Sequence, residues 1–351
     1  TKVNTASKLI KLEETQSGGA LATLTAGQAV LTEQEPVPQP PTTENLGAAD
    51  YVGDAADRTG FSGLEAIDEI TMVSVPDLAA ALEQEVIDLE TFKAVQLGMI
   101  AHCELMGDRI AILDPPPGLN PQRLHEWRTR GANYDSRFAT LYWPWVKVFD
   151  PASGGNKFVP PSGHMAGIYA RTDVSRGVHK APANEVVYGA GNLVRHITPE
   201  EQAELNSNGV NCIRYFPNRG IRVWGARTVA GADSEWRYLN VRRLFNFVEE
   251  SIALGTGWTV FEPNNPTLWG NIRRDVGAFL LRLYRDGALL GRSEEEAFFV
   301  QCDEQTNPPE SIDAGQVVAL VGLAPVKPAE FIIFRIGQHA GGAELEEVKN
   351  G

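Results

Sequence analysis

The sequence predicts an α/β protein in two parts, a mostly parallel sheet flanked by helices and then a smaller α+β domain. Three observations lead there. Between Ile70 and Val174, short β-branched or aromatic runs alternate with stretches of helical spacing, the pattern of strands joined by crossover helices. After about residue 230 long amphipathic helices come first and short strands follow. At 351 residues the chain is long enough for two cores.

Taken in order, residues 17–63 read as a connecting region, with SGG, EPVPQPPTTEN and GDAADRTGFSG in succession. Pro38, Pro40 and Pro41 remove backbone donors, so 35–45 is expected as an extended surface loop. Ile70–Val75 is a β-branched run closed by Pro76. A helix is expected over 88–106, because Phe92, Val95, Met99 and Cys103 share one face. Arg109–Leu113 is the next strand, stopped by DPPPG. A helix over 121–130 has proline in its first turn and Gly131 after its end. Phe138–Phe149 reads as one strand, kinked or at an edge because of Pro144. Ser162 is placed as the N-cap of a helix running to about Val174.

In the second part, 235–252 is read as a helix with Leu244, Phe245, Val248 and Ile252 as its stripe. The run 271–285 repeats the pattern with Trp269, Ile272, Val276, Phe279, Leu280, Leu283 and Tyr284, and Gly287 ends it. Strands follow at 297–302, 317–322 and 331–336. The expected division is therefore 1–232 for the α/β domain, 233–338 for the second domain and 339–351 (HAGGAELEEVKNG) for a loose tail.

Composition narrows the function. The net charge of −14 argues against nucleic acid or an anionic membrane as the main partner, since both repel a polyanion. The longest apolar runs, such as VVALVGLA at 317–324, fall well short of the ~20 residues that span a bilayer, and the first residues lack a signal-peptide pattern. The three cysteines, Cys103, Cys212 and Cys302, have no metal spacing and read as reduced core thiols, which suits assembly in a cytoplasm. The charge is uneven: residues 1–135 hold 9 basic and 21 acidic side chains, whereas Arg214–Arg243 holds seven arginines against Asp233 and Glu235. That arginine stretch interleaves aromatics with positive charge. It fits either internal pairing with the acidic half, an acidic protein surface, or single-stranded nucleic acid.

Chemistry is hard to find. Asp77, Asp114 and Asp150 follow the three predicted strands, at the sheet edge where α/β enzymes build their sites, so a hydrolase using them is one alternative. Against it, Asp114 and Asp150 each precede proline, which is ordinary turn chemistry. The sequence has no phosphate-loop motif, no G-x-S-x-G and no zinc spacing among its six histidines. No cofactor or metal is expected.

Several runs, however, resemble one family. They are DYVGD from Asp50, TLYWPWV from Thr140, PPSGHMAGIYA from Pro160, GVNCIR from Gly209 and VWGART from Val223. The series continues with WRYLNVRR from Trp236, FEPN from Phe261, CDEQTNPPE from Cys302 and APVKPAEFIIFRI from Ala324. Over about 50–338 the chain resembles the sheath proteins of contractile bacteriophage tails and phage-derived contractile injection systems.

The resemblance implies a subtilisin-like α/β domain without a protease triad, followed by the family's C-terminal domain. It implies a structural subunit, not an enzyme, that assembles in the bacterial cytoplasm as stacked six-membered rings around an inner tube. Partners would be neighbouring sheath subunits, the tube protein, and baseplate and terminal cap proteins, with no nucleic acid and no membrane insertion. Contraction would rotate subunits outward and drive the tube through a target envelope. The absence of a nucleotide motif fits an engine whose energy is stored in a metastable assembly. Within that picture, the strand Glu330, Phe331, Ile332, Ile333, Phe334, Arg335 and Ile336 suits β-augmentation between subunits, with an ordinary internal strand as the alternative. Arg237, Arg242 and Arg243 on one helix, and Arg273, Arg274, Arg282 and Arg285 on the next, are candidates for contact with the tube or a neighbour. The alternative for these is solvated helix faces. One departure stands out: the family's N-terminal arm with its P-G-V-Y-type segment is missing, and Lys2–Glu14 reads as a segment from inside the α/β domain. With Thr1 in place of a methionine, the expectation is a portion of a longer subunit whose first domain is incomplete at its N-terminus.

Overall fold

Among the described residues, the main sheet of the first domain is framed by edge strands of opposite sense, with both crossover connections and hairpins between them. The computed structural model describes residues 46–231, 234–330, 333–340 and 343–350, the last two stretches by backbone alone. The loop expected at 35–45 and the segment Lys2–Glu14 lie outside the described residues.

A short helix α1 (Ala48–Val52) precedes strand β1 (Met72–Val73) and helix α2 (Asp77–Glu83). Helix α3 (Leu89–Met106) starts where Asp88 accepts the Thr91 amide with its side chain and stops at Gly107, whose φ of 73° needs no Cβ to be tolerated. Its expected face of Phe92, Val95, Met99 and Cys103 is fully buried. Strand β2 (Ile110–Leu113) follows, then α4 (Pro121–Glu126), capped by Asn120. The helix expected to end at Gly131 instead passes into a π-helical turn over Trp127–Ala132 and closes on Asn133 in the left-handed region.

The single strand expected over 138–149 is in fact two. β3 (Ala139–Trp143) sits in the middle of the main sheet, and β4 (Val146–Asp150) leaves it after the cis Trp143–Pro144 bond to pair in a second sheet. Pro144, which has no amide to donate, thus marks neither a kink within one strand nor an edge position: it lies between two strands, each of them central in its own sheet. β5 (Gly155–Val159) completes a hairpin with β4. Helix α5 (Ser162–Arg176) begins with Ser162 inside it, not capping it. Then come β6 (Asn192–Leu193), α6 (Pro199–Ser207) with a Thr198–Glu201 capping box, β7 (Val210–Phe216) and β8 (Gly220–Trp224).

The main sheet has the order β1-β2-β3-β7-β8. The first four strands run parallel and β8 closes the edge antiparallel to β7. β2 and β3 are buried at every position, as strands covered on both faces must be. The smaller antiparallel sheet has the order β5-β4-β6.

The helix expected from Glu235 starts only at Leu239, as α7 (Leu239–Gly255). The residues before it form a turn, the Arg237 amide donating to the Ser234 carbonyl, after which Arg227 and Tyr238 form an isolated bridge and Thr228 donates its amide to the Arg237 carbonyl. Helix α8 (Pro266–Arg285) has Asn265 as its cap, the side chain accepting from Leu268 N. Asn265→Ala is expected to cost about 1 kcal/mol in urea unfolding, the usual loss of one capping acceptor. Short elements follow: α9 (Glu294–Ala297), β9 (Phe298–Gln301), α10 (Pro309–Asp313) and β10 (Leu320–Leu323), which pairs antiparallel with β9. Finally, β11 (Ile333–Ala340) and β12 (Ala343–Asn350) pair antiparallel from Ile333↔Asn350 to Ala340↔Ala343. The stretch 339–351, expected as a loose tail, thus supplies the end of β11 and all of β12.

Two separate clusters of buried residues result. One extends from Phe61 to Leu239 around the main sheet, and the other joins Leu244 and Val248 of α7 to Trp269, Ile272, Val276 and Leu280 of α8. All three cysteines are free and buried, and burial pushes the Cys103 and Cys212 thiols up to about 12, so neither is a ready nucleophile.

Candidate functional site

The three aspartates do not converge. Asp77 is exposed in the first turn of α2. Asp150 organises its own turn, accepting from Ala152 N and Ser153 Oγ with Lys157 at 3.3 Å. Asp114 is buried, and its carboxylate accepts the Ser162 amide at 2.9 Å, serving the start of α5. Burial pushes the Asp114 carboxyl up to about 7, with the Ser162 hydrogen bonds pulling it partly back. The hydrolase alternative therefore has no shared site on which to act. Among the described residues no group of histidines, cysteines and carboxylates is placed to hold a metal ion.

The arginine stretch is largely consumed inside the subunit. Arg227 forms a fork with Glu330, Nε–Oε1 2.9 Å and Nη2–Oε2 2.5 Å, which ties the edge of the first domain to the last described residue before β11. Arg242 is 2% exposed, caged by the rings of Phe138, Trp236 and Phe245 and bonded through Nε to Asn246 Oδ1 at 2.6 Å. Arg243 is 5% exposed; its two Nη atoms meet both oxygens of Asp173 at 2.9 and 2.5 Å, and its guanidinium lies 4.7 Å from the centre of the Tyr169 ring. The Tyr169 hydroxyl in turn shares a 2.7 Å hydrogen bond with Tyr142 of β3. Arg237 stacks on Tyr238. Two full desolvated guanidinium groups would cost far more than they return unless each were paired, and each is.

These contacts converge on the junction between α5 and α7. Asn240 adds a bridge there, donating from Nδ2 to the carbonyls of His179 and Val326 at 2.9 and 3.0 Å. Beside the junction is a cavity of about 720 Å³, lined among others by Asp173, Arg243, Phe247, Glu250, Phe279 and Arg282. Burial and the charges of Asp108 and Asp68 hold the Glu250 carboxyl above its ordinary range. Asp173 and Asn240 were not singled out by sequence spacing, because each is recognised only by a partner some 60 to 90 positions away, and Glu330, expected in the assembly strand, is instead paired with Arg227 inside the subunit.

The helix α8 arginines divide. Arg273 donates to the Cys302 carbonyl. Arg274, with its side chain 69% exposed, pairs with Asp275 and Asn271 beside it. Arg282 is 84% exposed, at 4.0 Å from Asp286, and Arg285 is exposed. Of the expected assembly strand, Phe331 and Ile332 lie outside the described residues, and Ile333, Phe334, Arg335 and Ile336 fall in β11, which pairs with β12.

No helix is long and apolar enough to cross a membrane among the described residues. The chain matches the phage tail sheath protein central domain over residues 44–229 and the phage tail sheath C-terminal domain over residues 231–338. It is 26% identical over 281 residues to the tail sheath protein of Enterobacteria phage T4, covering 74% of this chain and 41% of that protein. To the tail sheath protein of Burkholderia phage BcepMu it is 29% identical over 244 residues, 66% and 48% of the two chains. The chain thus spans about half the length of the curated relatives it matches. Among solved structures, the contracted sheath complex of PVC, an extracellular contractile injection system, is 40% identical, with a TM-score of 0.64 over 70% of this chain and 68% of that one. The contracted helical sheath of the anti-feeding prophage is 34% identical, with a TM-score of 0.66 over 82% and 76%. With two family matches that together cover most of its length, the chain belongs to the phage tail sheath protein family, whose members are structural proteins and not enzymes.

Proposed function

We propose that this chain is a sheath subunit of a contractile injection system, polymerising as stacked six-membered rings around an inner tube and contracting to drive that tube through a target envelope. The observation that carries the reading is its identity of 34–40% to the PVC and anti-feeding prophage sheaths over most of the chain. The phage relatives at 25–29% support the wider alternative of a phage tail. The partners are other copies of the subunit, a tube protein, a baseplate and a terminal cap; a match to the anti-feeding prophage baseplate supports the baseplate. Assembly takes place in the bacterial cytoplasm.

A two-part division near 232/233 is supported by the two separate buried clusters, which part within α7 between Leu239 and Leu244. The parallel sheet with its crossover helices is the part we read as a subtilisin-like arrangement. In the second domain, Arg274, Arg282 and Arg285 remain available for a tube or neighbour, whereas the Arg242 and Arg243 guanidinium groups are engaged internally. β11 and β12 form a two-stranded sheet among the described residues, and an unpaired strand edge is the standard receptor for a neighbour's strand.

Negative-stain microscopy of the purified chain tests the reading. Striated tubes or stacked rings with six-fold symmetry are expected, and a chain truncated after Glu330 is expected to lose them while keeping a cooperative unfolding transition. Monodisperse monomers of the untruncated chain under assembly conditions would overturn it.

A further inference from the structure

We propose that the two edges of the main sheet form one head-to-tail contact between copies of this chain, the arginine-bearing β7–β8 edge of one copy docking on the acidic β1–α2 edge of the next. The proposal rests on the self-assembly reading and names the surfaces it would use.

On the β8 side, the cross-strand register places Arg214 opposite Arg222 and Cys212 opposite Trp224, so Arg214, Phe216, Arg222 and Trp224 share one face. Arg219 lies over the Phe216 and Trp224 rings at 5.3 and 5.7 Å, and Arg214 over Phe216 at 5.2 Å. The three guanidinium groups are held in place by neutral acceptors: Gln202 Oε1 for Arg214, Asn184 Oδ1 for Arg219, and the Asn184 and Arg219 carbonyls for Arg222. None of the three has a carboxylate within ion-pair distance among the described residues. The carboxylates of neighbouring elements are engaged elsewhere. Glu185 pairs with Arg171, Glu201 closes the capping box on Thr198, and Glu204 pairs with His125. Glu200 senses Arg214 only through space. Arginines fixed between aromatic rings, with their charge unspent, are the composition of interface hot spots.

At the other end of the same sheet the charge is reversed. Residues 46–92 contain eleven acidic side chains and one basic, Arg58. Asp68, Glu69, Asp77, Glu83 and Glu85, which flank β1 and occupy or follow α2, are exposed and have no ion pair among the described residues. Unspent positive charge on one edge and unspent negative charge on the opposite edge are complementary only between different copies, because the three strands between them keep the edges apart within one. A contact of this kind is heterologous, and heterologous contacts repeat into rings or helices instead of closing as dimers.

The test uses two variants of the full chain, Arg219→Glu/Arg222→Glu and Glu83→Lys/Glu85→Lys, each followed by sedimentation and negative-stain microscopy. Each alone is expected to lower pelleted assemblies by about tenfold or more, since like charges then face each other. An equimolar mixture of the two is expected to recover assembly, because every contact in an alternating ring is complementary again; this recovery also shows that both variants are folded. Wild-type assemblies together with unchanged assembly of both variants would overturn the edge contact and leave the sheath reading intact. Loss in each variant without recovery in the mixture would overturn the charge pairing. A wild-type chain that never assembles would remove the sheath reading and this proposal with it. Binding of a single-stranded oligonucleotide that is lost in Arg219→Glu/Arg222→Glu while assembly is unaffected would assign the arginine face to nucleic acid instead.

Discussion

Arg243→Ala is expected to lower the unfolding free energy by about 2–4 kcal/mol, read by urea denaturation followed through tryptophan fluorescence. Removing one member of a buried, fork-bonded ion pair usually costs about 3–5 kcal/mol, because the other charge is left desolvated and alone. Here the abandoned group is Asp173, whose side chain retains 29% of its exposure and so recovers part of the loss from water. Arg243 also stacks on Tyr169, so the substitution removes packing as well as charge. Arg243→Lys should fall in between, keeping the charge but losing the planar fork and the stack. The double variant Arg243→Ala/Asp173→Ala should lose less than the two single losses together, since neither partner is then stranded. Arg274→Ala, an exposed arginine on the next helix, should stay within about 0.5 kcal/mol of wild type. Equal effects at Arg243 and Arg274 would show that the junction pair contributes no more than a surface charge.

The same residues show how much the sequence could reveal. Helix α3 was legible because its stripe of Phe92, Val95, Met99 and Cys103 and its cap at Asp88 are local, and local periodicity is what burial of one helix face requires. The arginine stretch was legible as a composition but not as a location. Trp236 and Phe245, two walls of the Arg242 cage, are nearby in sequence, but the third wall, Phe138, arrives from the turn just before β3. Asp173, the partner of Arg243, sits on a helix whose polar spacing looks like that of any solvated face. The extra sheet was missed for a different reason. Pro144 announced a break in the ladder, but nothing local says whether a chain resumes in the same sheet or another, and β5 is a run of mixed polarity, GNKFV. The assembly edges lie between these cases: both charge clusters were visible, and only the strand order places them at opposite ends of one sheet.

Asp114→Asn is expected to flatten the pH dependence of stability between about pH 4 and pH 7. The wild-type carboxyl is held at about 7, above its ordinary 3.8, first of all by complete burial. In that interval the folded protein keeps a proton that the unfolded chain has released. The unfolded state therefore binds fewer protons, and stability falls as pH rises, levelling off above pH 7. A shift of this size corresponds to a slope totalling on the order of 3–4 kcal/mol. Asparagine presents an amide oxygen to the Ser162 N–H but cannot ionise, so the slope from this group disappears. Urea unfolding at pH 4.5, 6, 7 and 8 should show the variant gaining on wild type as pH rises, and parallel curves would rule out Asp114 as the source. The consequence reaches the junction through one helix. α5 receives Asp114 at its first residue and carries Asp173 to Arg243 near its last turn, so the two acidic groups anchor opposite ends of one helix.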